Sequence, residues 1–295
     1  MNYKIGILAL GHYPEIEISR ERFDSLVQSN KKLSAAMALE EKYDVMISNF
    51  LELEEESLCL TANYMLGRTY SYSGFFDVKL KFNRRMVNLL TSTRLYIDQY
   101  KQHVKELNPD LVDNVQAEFS KKYDTHFEYR FMEALRNYVQ HKGLAAHAVK
   151  HPSKWVSVEN YDLLEHKTQY IAEKMQFESD GSFKKSVLKE MPNEVELLTV
   201  ARKYVSAIAQ VHMFIRESIS GYVDNARKEI ALAISDYKKI SDGKSTGLFA
   251  LAFDDGECTE RKVLTLEWDD VRRELINKNS PTHSLGMSYV TSNAL

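Results

Sequence analysis

Along most of the chain apolar side chains recur every three or four positions, the spacing of helices with one buried face. In EEKYDVMISNFLELEEESLCLTANYML the apolar positions keep to one side and a run of glutamates to the other. One long helix or two stacked helices are therefore predicted between Ile16 and Leu66, with the glutamates on a solvated face. The turn-rich GRTYSYSG (67 to 74) breaks the pattern, which resumes from FFDVKL and lasts until NPD at 108 to 110, where Asp110 is a candidate N-cap. A further helix should start near Leu111, pause around KKYDTH (121 to 126) and end at Gly143, a residue suited to a helix C-cap. The longest clean helical signal covers 193 to 240, as one helix or as a pair bent near Gly221.

Two stretches depart from this spacing. HPSKWVSVENYDLLEH (151 to 166) is irregular, with β-branched residues that could pair briefly as strands. STGLFALAFDDGECTERKVLTLEWDD alternates apolar and polar residues on either side of DDGE, which predicts a β-hairpin turning at Asp255 and Gly256. The fold expected from these patterns is mainly all-α: an antiparallel helical bundle with a small C-terminal β-hairpin. Residues 1–150 would form the bundle. Residues 151–295 would be an extension that completes the bundle, senses an activator or forms a dimer surface.

Composition adds constraints. Only 11 glycines and 5 prolines punctuate 295 residues, and 44% of them are hydrophobic, which suits long helices around a substantial core. The net charge of −3 means that any nucleic-acid contact must come from a local basic patch. Cys59 and Cys258 have no ligand spacing, so neither a disulfide framework nor a thiolate zinc site is indicated and a reducing cytoplasm fits best. The opening MNYKIGILALGHYPEI is too short in its apolar run for a signal-peptide core. No segment approaches the roughly 18 unbroken apolar residues of a membrane span, so no membrane partner is expected. No phosphate-binding glycine loop and no nucleophilic triad order stands out, and no cofactor is expected.

Chemistry gathers in EALRNYVQHKGL, residues 133 to 144. With Arg136 at zero on a wheel of about 100° per residue, Phe131, Met132, Leu135, Tyr138 and Val139 fill one apolar arc between roughly 200° and 320°. Glu133, Asn137, Gln140 and His141 fall between roughly 40° and 140°, beside Arg136 and off the core face. Arginine offers a fork of donors matched to phosphate, and histidine is the side chain that ordinarily exchanges a proton near neutrality. A phosphodiester is a ligand that would use both.

Arg136-Asn137-Tyr138-Val139-Gln140-His141 resembles the R-x4-6-H motif of HEPN domains (higher eukaryotes and prokaryotes nucleotide-binding), including the polar residue those proteins usually carry after the arginine. NLLTSTRLYIDQ (88 to 99) is similar to the helix before the motif in many bacterial members. The resemblance implies an all-α, commonly dimeric bundle and a metal-independent endoribonuclease of toxin, antiphage or CRISPR-associated systems. It implies Arg136 and His141 as the catalytic pair with Asn137 in support, RNA as substrate, and an antitoxin or regulatory protein as a further partner. One motif supplies one histidine, whereas metal-free RNA cleavage needs a base and an acid, so two motifs would have to meet in an isologous homodimer. Gln140, Lys142, Lys150 and Lys154 are the candidate substrate-binding residues, the lysines as a basic rim whose phosphate contacts carry no sequence preference. Trp155 or Tyr138 could stack on a base, although the wheel gives Tyr138 a core position.

Plainer readings stand beside this one. Arg136 could pair with Glu133 or another carboxylate while His141 lies near the helix end. His147 and His151, four apart in HAVKH, could share a metal on a helix, but Gly143 and Pro152 interrupt such a helix and no metal site is expected. A non-catalytic helical module that binds a nucleotide or a partner protein is the alternative function.

Overall fold

A computed structural model describes residues 1–158 and 161–290. Its helices end where the sequence stops them. Helix α1 (Arg20–Met65) opens on Ser19, whose hydroxyl accepts the Arg22 N–H at 3.2 Å, and contains no glycine or proline. It closes at Gly67, where φ is +66° and the N–H returns to the Tyr64 carbonyl. Helix α2 (Tyr72–Leu107) opens on Ser71, which accepts the Gly74 N–H at 3.1 Å, and stops ahead of Pro109. Before α3 (Leu111–Thr125) it is Asn108, in place of the expected Asp110, whose side chain takes a backbone N–H, that of Asp110 at 3.0 Å. Then follow α4 (Phe127–His141), α5 (Lys174–Asp180), α6 (Lys185–Glu190), α7 (Leu197–Ile240) and α8 (Glu267–Lys278). Helix α7 is continuous through Gly221, and at its start the Glu196 carboxylate accepts the Leu198 and Thr199 N–H groups at 3.2 and 2.7 Å.

The expected all-α, HEPN-like bundle with a small hairpin is corrected. Helix makes up 65% of the chain and strand 16%, and the strands form several antiparallel sheets. Strands β1 (Asn2–Ile7), β2 (Ile16–Ile18), β8 (Leu248–Asp254) and β9 (Glu257–Val263) form a four-stranded sheet in the order β2-β1-β8-β9. The β8–β9 turn lies at Asp255 and Gly256, at φ +47° and +88°, the two positive angles of a type I′ turn. The hairpin is no appendage, because β8 pairs along its length with β1, from Asn2 opposite Phe253 to Ile7 opposite Leu248. A strand flanked by neighbours on both sides reads as a short apolar run, and nothing local in MNYKIGIL marks a partner so far along the chain. Strands β3 (Ala148–Lys150), β6 (Gln169–Glu173) and β7 (Glu194–Glu196) form a second sheet in the order β3-β6-β7. Strands β4 (Ser153–Val158) and β5 (Tyr161–His166) form a two-stranded ribbon where brief strands were expected, and residues 159 and 160 between them lie outside the described residues.

The chain gathers into two compact units. One comprises Met1–Glu41, Gln99–Asn114 and Phe214–Asn279. Here Ile5 and Leu251 of the four-stranded sheet are buried, Tyr3 packs on Phe23 with ring centroids 5.1 Å apart, and Asn30 donates to the Val263 carbonyl. As α1 advances from Arg22 to Glu40 its partners on α7 retreat from Asp236 to Arg216, so the two segments run antiparallel. Glu40 is 2% exposed and receives the Arg216 guanidinium at 2.9 and 2.6 Å.

The other unit comprises Lys42–Asp98, Val115–Met213 and the residues from Ser280 onward. Its buried rings include Tyr43, stacked on His212 with centroids 3.7 Å apart, and Tyr96, whose hydroxyl meets His212 Nδ1 at 2.8 Å. Phe82 of α2 stacks on Tyr170 of β6 at 3.6 Å. Glu54 of α1 takes a two-point contact from Arg202 of α7 at 2.6 and 2.7 Å, and that carboxylate holds the arginine's pKa above its ordinary value.

Removing one partner of the buried Glu40–Arg216 pair strands the other charge. Arg216→Met should cost about 3–5 kcal/mol of stability, read as a lower urea midpoint. Adding Glu40→Gln should recover part of that loss; equal midpoints for parent and Arg216→Met would refute the account.

Candidate functional site

All the residues singled out in 133–154 lie in the second unit, and α4 carries most of them. The helix begins after His126 with Glu128 in its first turn, the favourable end of the helix dipole for a carboxylate. Burial works the other way, but the Lys203 ammonium at 2.8 Å and the backbone keep the Glu128 carboxyl below its usual pKa. The apolar arc is the core face: Phe131, Met132 and Leu135 are fully buried. Tyr138, at the edge of that arc, is half-buried and meets Phe177 edge-on at 4.9 Å. Its hydroxyl lies 2.7 Å from where a Cβ on Gly143 would stand. A side chain at position 143 would thus have to displace the Tyr138 ring, and the residue at the C-cap is Lys142, not Gly143, its N–H bonding to the Tyr138 carbonyl at 2.8 Å.

The polar face is arranged around Arg136 and Asn137. Arg136 Nη1 donates to Asn137 Oδ1 at 3.0 Å, and Arg136 Nε is buried with no hydrogen-bond partner among the described residues. The pairing of Arg136 with Glu133 is not formed. Glu133 Oε2 instead accepts from Arg94 Nη1 of α2 at 3.0 Å, and its Oε1 accepts from the Tyr204 hydroxyl of α7 at 2.6 Å. Burial, with Glu133 beside it, holds Tyr204 well above the ordinary tyrosine pKa, so its proton is fixed on the donor side. Burial opposes the charge of Arg94, yet Glu133 and Asp98 outweigh it and raise its pKa.

Gln140, His141 and Lys142 follow at the exposed end of the helix. None of these three side chains has a hydrogen bond or ion pair among the described residues. Lys150 and Lys154 lie apart from them on strands and are already engaged. Lys150 binds Glu194 of β7 at 2.5 Å, and Lys154 meets its cross-strand neighbour Glu165 at 3.3 Å, a carboxylate also held by Lys167. Trp155 on β4 is 70% exposed, its indole open to solvent.

His147 and His151 flank β3, so the spacing in HAVKH is that of a strand and its edges. His147 Nδ1 accepts the Glu173 N–H at 2.9 Å, and His151 Nδ1 lies 3.2 Å from the Thr168 hydroxyl while its ring stacks on Tyr64 at 3.9 Å. The Nε2 atoms of both are buried without a partner among the described residues. Among those residues no group of three or more His, Cys, Asp or Glu side chains is placed to hold a metal. Both cysteines are exposed and free, and no described helix is long and apolar enough to cross a membrane.

The sequence reading missed three supports of this site. Arg94 and Tyr204 occupy Glu133, and Asn83 of α2 clasps Ala146 beyond the motif helix, accepting its N–H at 2.8 Å and donating to its carbonyl at 3.3 Å. Arg94 had one local sign, Asp98 four residues on; the partners of Tyr204 and Asn83 are too distant in sequence to leave any. No protein-family model matches the chain, and no curated protein or solved structure is found to be similar to it.

Burial lowers the pKa of His147, against a smaller opposing pull from Glu173, and burial alone lowers that of His151. Below the ordinary value of 6.5 the unfolded chain therefore binds protons that the folded chain refuses. Stability should be full above that pH and decline as pH falls through it. His147→Asn and His151→Asn, which keep an acceptor at the Nδ1 position, should each flatten the decline in thermal melts between about pH 7.5 and 5. An unchanged slope in both variants would contradict this.

Proposed function

We propose that the exposed end of α4 is the active face of a metal-independent endoribonuclease, with Arg136 and His141 as catalytic residues and Asn137 as the group that orients the arginine. The reading rests on the likeness of residues 136–141 to the HEPN motif and on the chemistry of the site, not on a shared fold. The observation that carries it is the state of Arg136: a half-buried guanidinium whose nearest carboxylate in sequence is occupied elsewhere and whose one side-chain hydrogen bond among the described residues is to the amide of Asn137. A cation held in this way, on the same helix as an exposed histidine, suits a phosphodiester.

The chemistry is a transesterification. The ribose 2′-oxygen bonds to phosphorus as its proton passes to the imidazole of His141. The bond to the 5′-oxygen breaks, and that oxygen takes a proton from an imidazolium, leaving a 2′,3′-cyclic phosphate and a 5′-hydroxyl. Arg136 stabilises the charge gathering on the phosphoryl oxygens. A second copy of the chain supplies the second histidine, so the active species is a homodimer with two α4 faces at one cleft. Gln140 and Lys142 of the same helix end contact the flanking backbone of the RNA. The setting that fits is a cytoplasmic bacterial defence or toxin system, with an antitoxin or regulator that restrains the enzyme.

The test is cleavage of a mixed RNA pool in excess EDTA, with the mass of each sample followed by light scattering. The parent should cut as a dimer and leave cyclic phosphate ends, while Arg136→Ala and His141→Ala should each lose about 100-fold or more in rate and remain folded. A parent that needs a divalent ion, cuts as a monomer, or keeps its rate after either substitution would overturn the proposal. A parent that binds RNA and never cuts it would leave a nucleotide-binding module.

A further inference from the structure

Glu133 and Arg136 are three residues apart on α4, the spacing at which a carboxylate and a guanidinium on one helix attract each other. A phosphate ligand of Arg136 would have to compete with that carboxylate. Both Glu133 oxygens are nevertheless taken by side chains from other helices. Tyr204, 1% exposed, approaches from the core at 2.6 Å, and its buried ring has no room to turn away. Arg94 approaches at 3.0 Å and is itself braced one turn along α2 by Asp98, at 2.6 Å through Nη2 and 3.0 Å through Nε.

We infer that Arg94 is a positioning residue: by holding Glu133 it keeps the Arg136 guanidinium free for a phosphate group. Tyr204 fills one carboxylate oxygen but carries no charge, so without Arg94 the Glu133 carboxylate keeps its negative charge and swings its other oxygen toward Arg136. This rests on the reading of Arg136 as a phosphate-binding residue, and it adds a requirement that the motif alone does not contain.

Two measurements on the full-length chain test it. The first is fluorescence anisotropy with a labelled 2′-O-methyl RNA oligonucleotide, which cannot be cleaved through a 2′-hydroxyl. Arg94→Met should weaken binding about tenfold or more, and Glu133→Gln added to it should restore affinity to within about threefold of the parent, because no carboxylate remains to capture Arg136. The second is the side-chain Nε–H spectrum of labelled arginine, with the Arg136 signal assigned by Arg136→Lys. In Arg94→Met that signal should shift, and in the double variant it should return to its parental position. Should Arg94→Met fail to fold, Arg94→Lys with and without Glu133→Gln makes the same comparison, since a single ammonium replaces the guanidinium fork that spans Asp98 and Glu133. A double variant that binds no better than the single one, or an Arg136 signal unmoved by loss of Arg94, overturns the inference. If the parent does not bind the oligonucleotide but the Arg136 signal moves and returns as described, the role of Arg94 stands and the ribonuclease reading falls.

Discussion

A carboxylate taken out of water must bring its own cation with it, and the long helices of this protein are organised around that demand. Glu40, Glu54 and Glu133 are each largely buried on a helix, and each is met by an arginine from another helix: Arg216, Arg202 and Arg94. Apolar stripes alone would let such helices slide by a turn with modest loss of burial. A slide that separates one of these pairs leaves a charge in a medium that solvates it poorly, which is far less tolerable. The ion pairs therefore specify register, while the aromatic layers of Tyr43, Tyr96 and His212, or of Tyr129 and Tyr204, fill the space that the chosen register creates.

On α4 the same demand has a chemical consequence. The apolar arc fixes which way the helix faces, and the buried carboxylate at its edge recruits its partners from α2 and α7. What remains on the outer face is a guanidinium with an amide for company, an imidazole at the helix end and a lysine at the cap. The packing of the helix and the availability of its polar groups thus follow from one placement of charge. The flanking strands behave otherwise: their lysines and glutamates pair locally, so the ribbon and the small sheet add little positive field around α4.

How much of this could be read from the sequence depends on the range of the forces involved. Helix ends announced by Gly67, by Pro109 and by the break before Phe127 were legible because a glycine, a proline or a polar cap acts within a few residues. The turn at Asp255 and Gly256 was legible for the same reason. The wheel placed Arg136, Asn137 and His141 off the core face because helical geometry alone decides it. Strand β1 was not legible, since its partner is β8 and a strand carries no local mark of its neighbour. Nor was the division into units, each assembled from separated stretches of chain. Glu133 was the hardest residue to assign: helical spacing pointed it at Arg136, and only the folded chain brings Arg94 and Tyr204 to it. The spacing of His147 and His151, discounted as a metal pair because Gly143 and Pro152 interrupt a helix, is that of a strand and its edges, where residues four apart are carried away from each other.

The position of β1 also bears on how the protein is made. β1 is translated long before β8, yet in the finished sheet it lies between β2 and β8, and β8 is not synthesised until Leu248. While the residues between Ile7 and Leu248 are made, one edge of β1 has no native partner and offers its backbone groups to any passing strand. The nascent β1–β2 ribbon is short and only marginally stable by itself. Closure of the sheet therefore waits for a contact between nearly opposite ends of the described chain, the slowest kind of loop to close. On the ribosome this unit completes only after β8 is made, with one edge of β1 open in the interval.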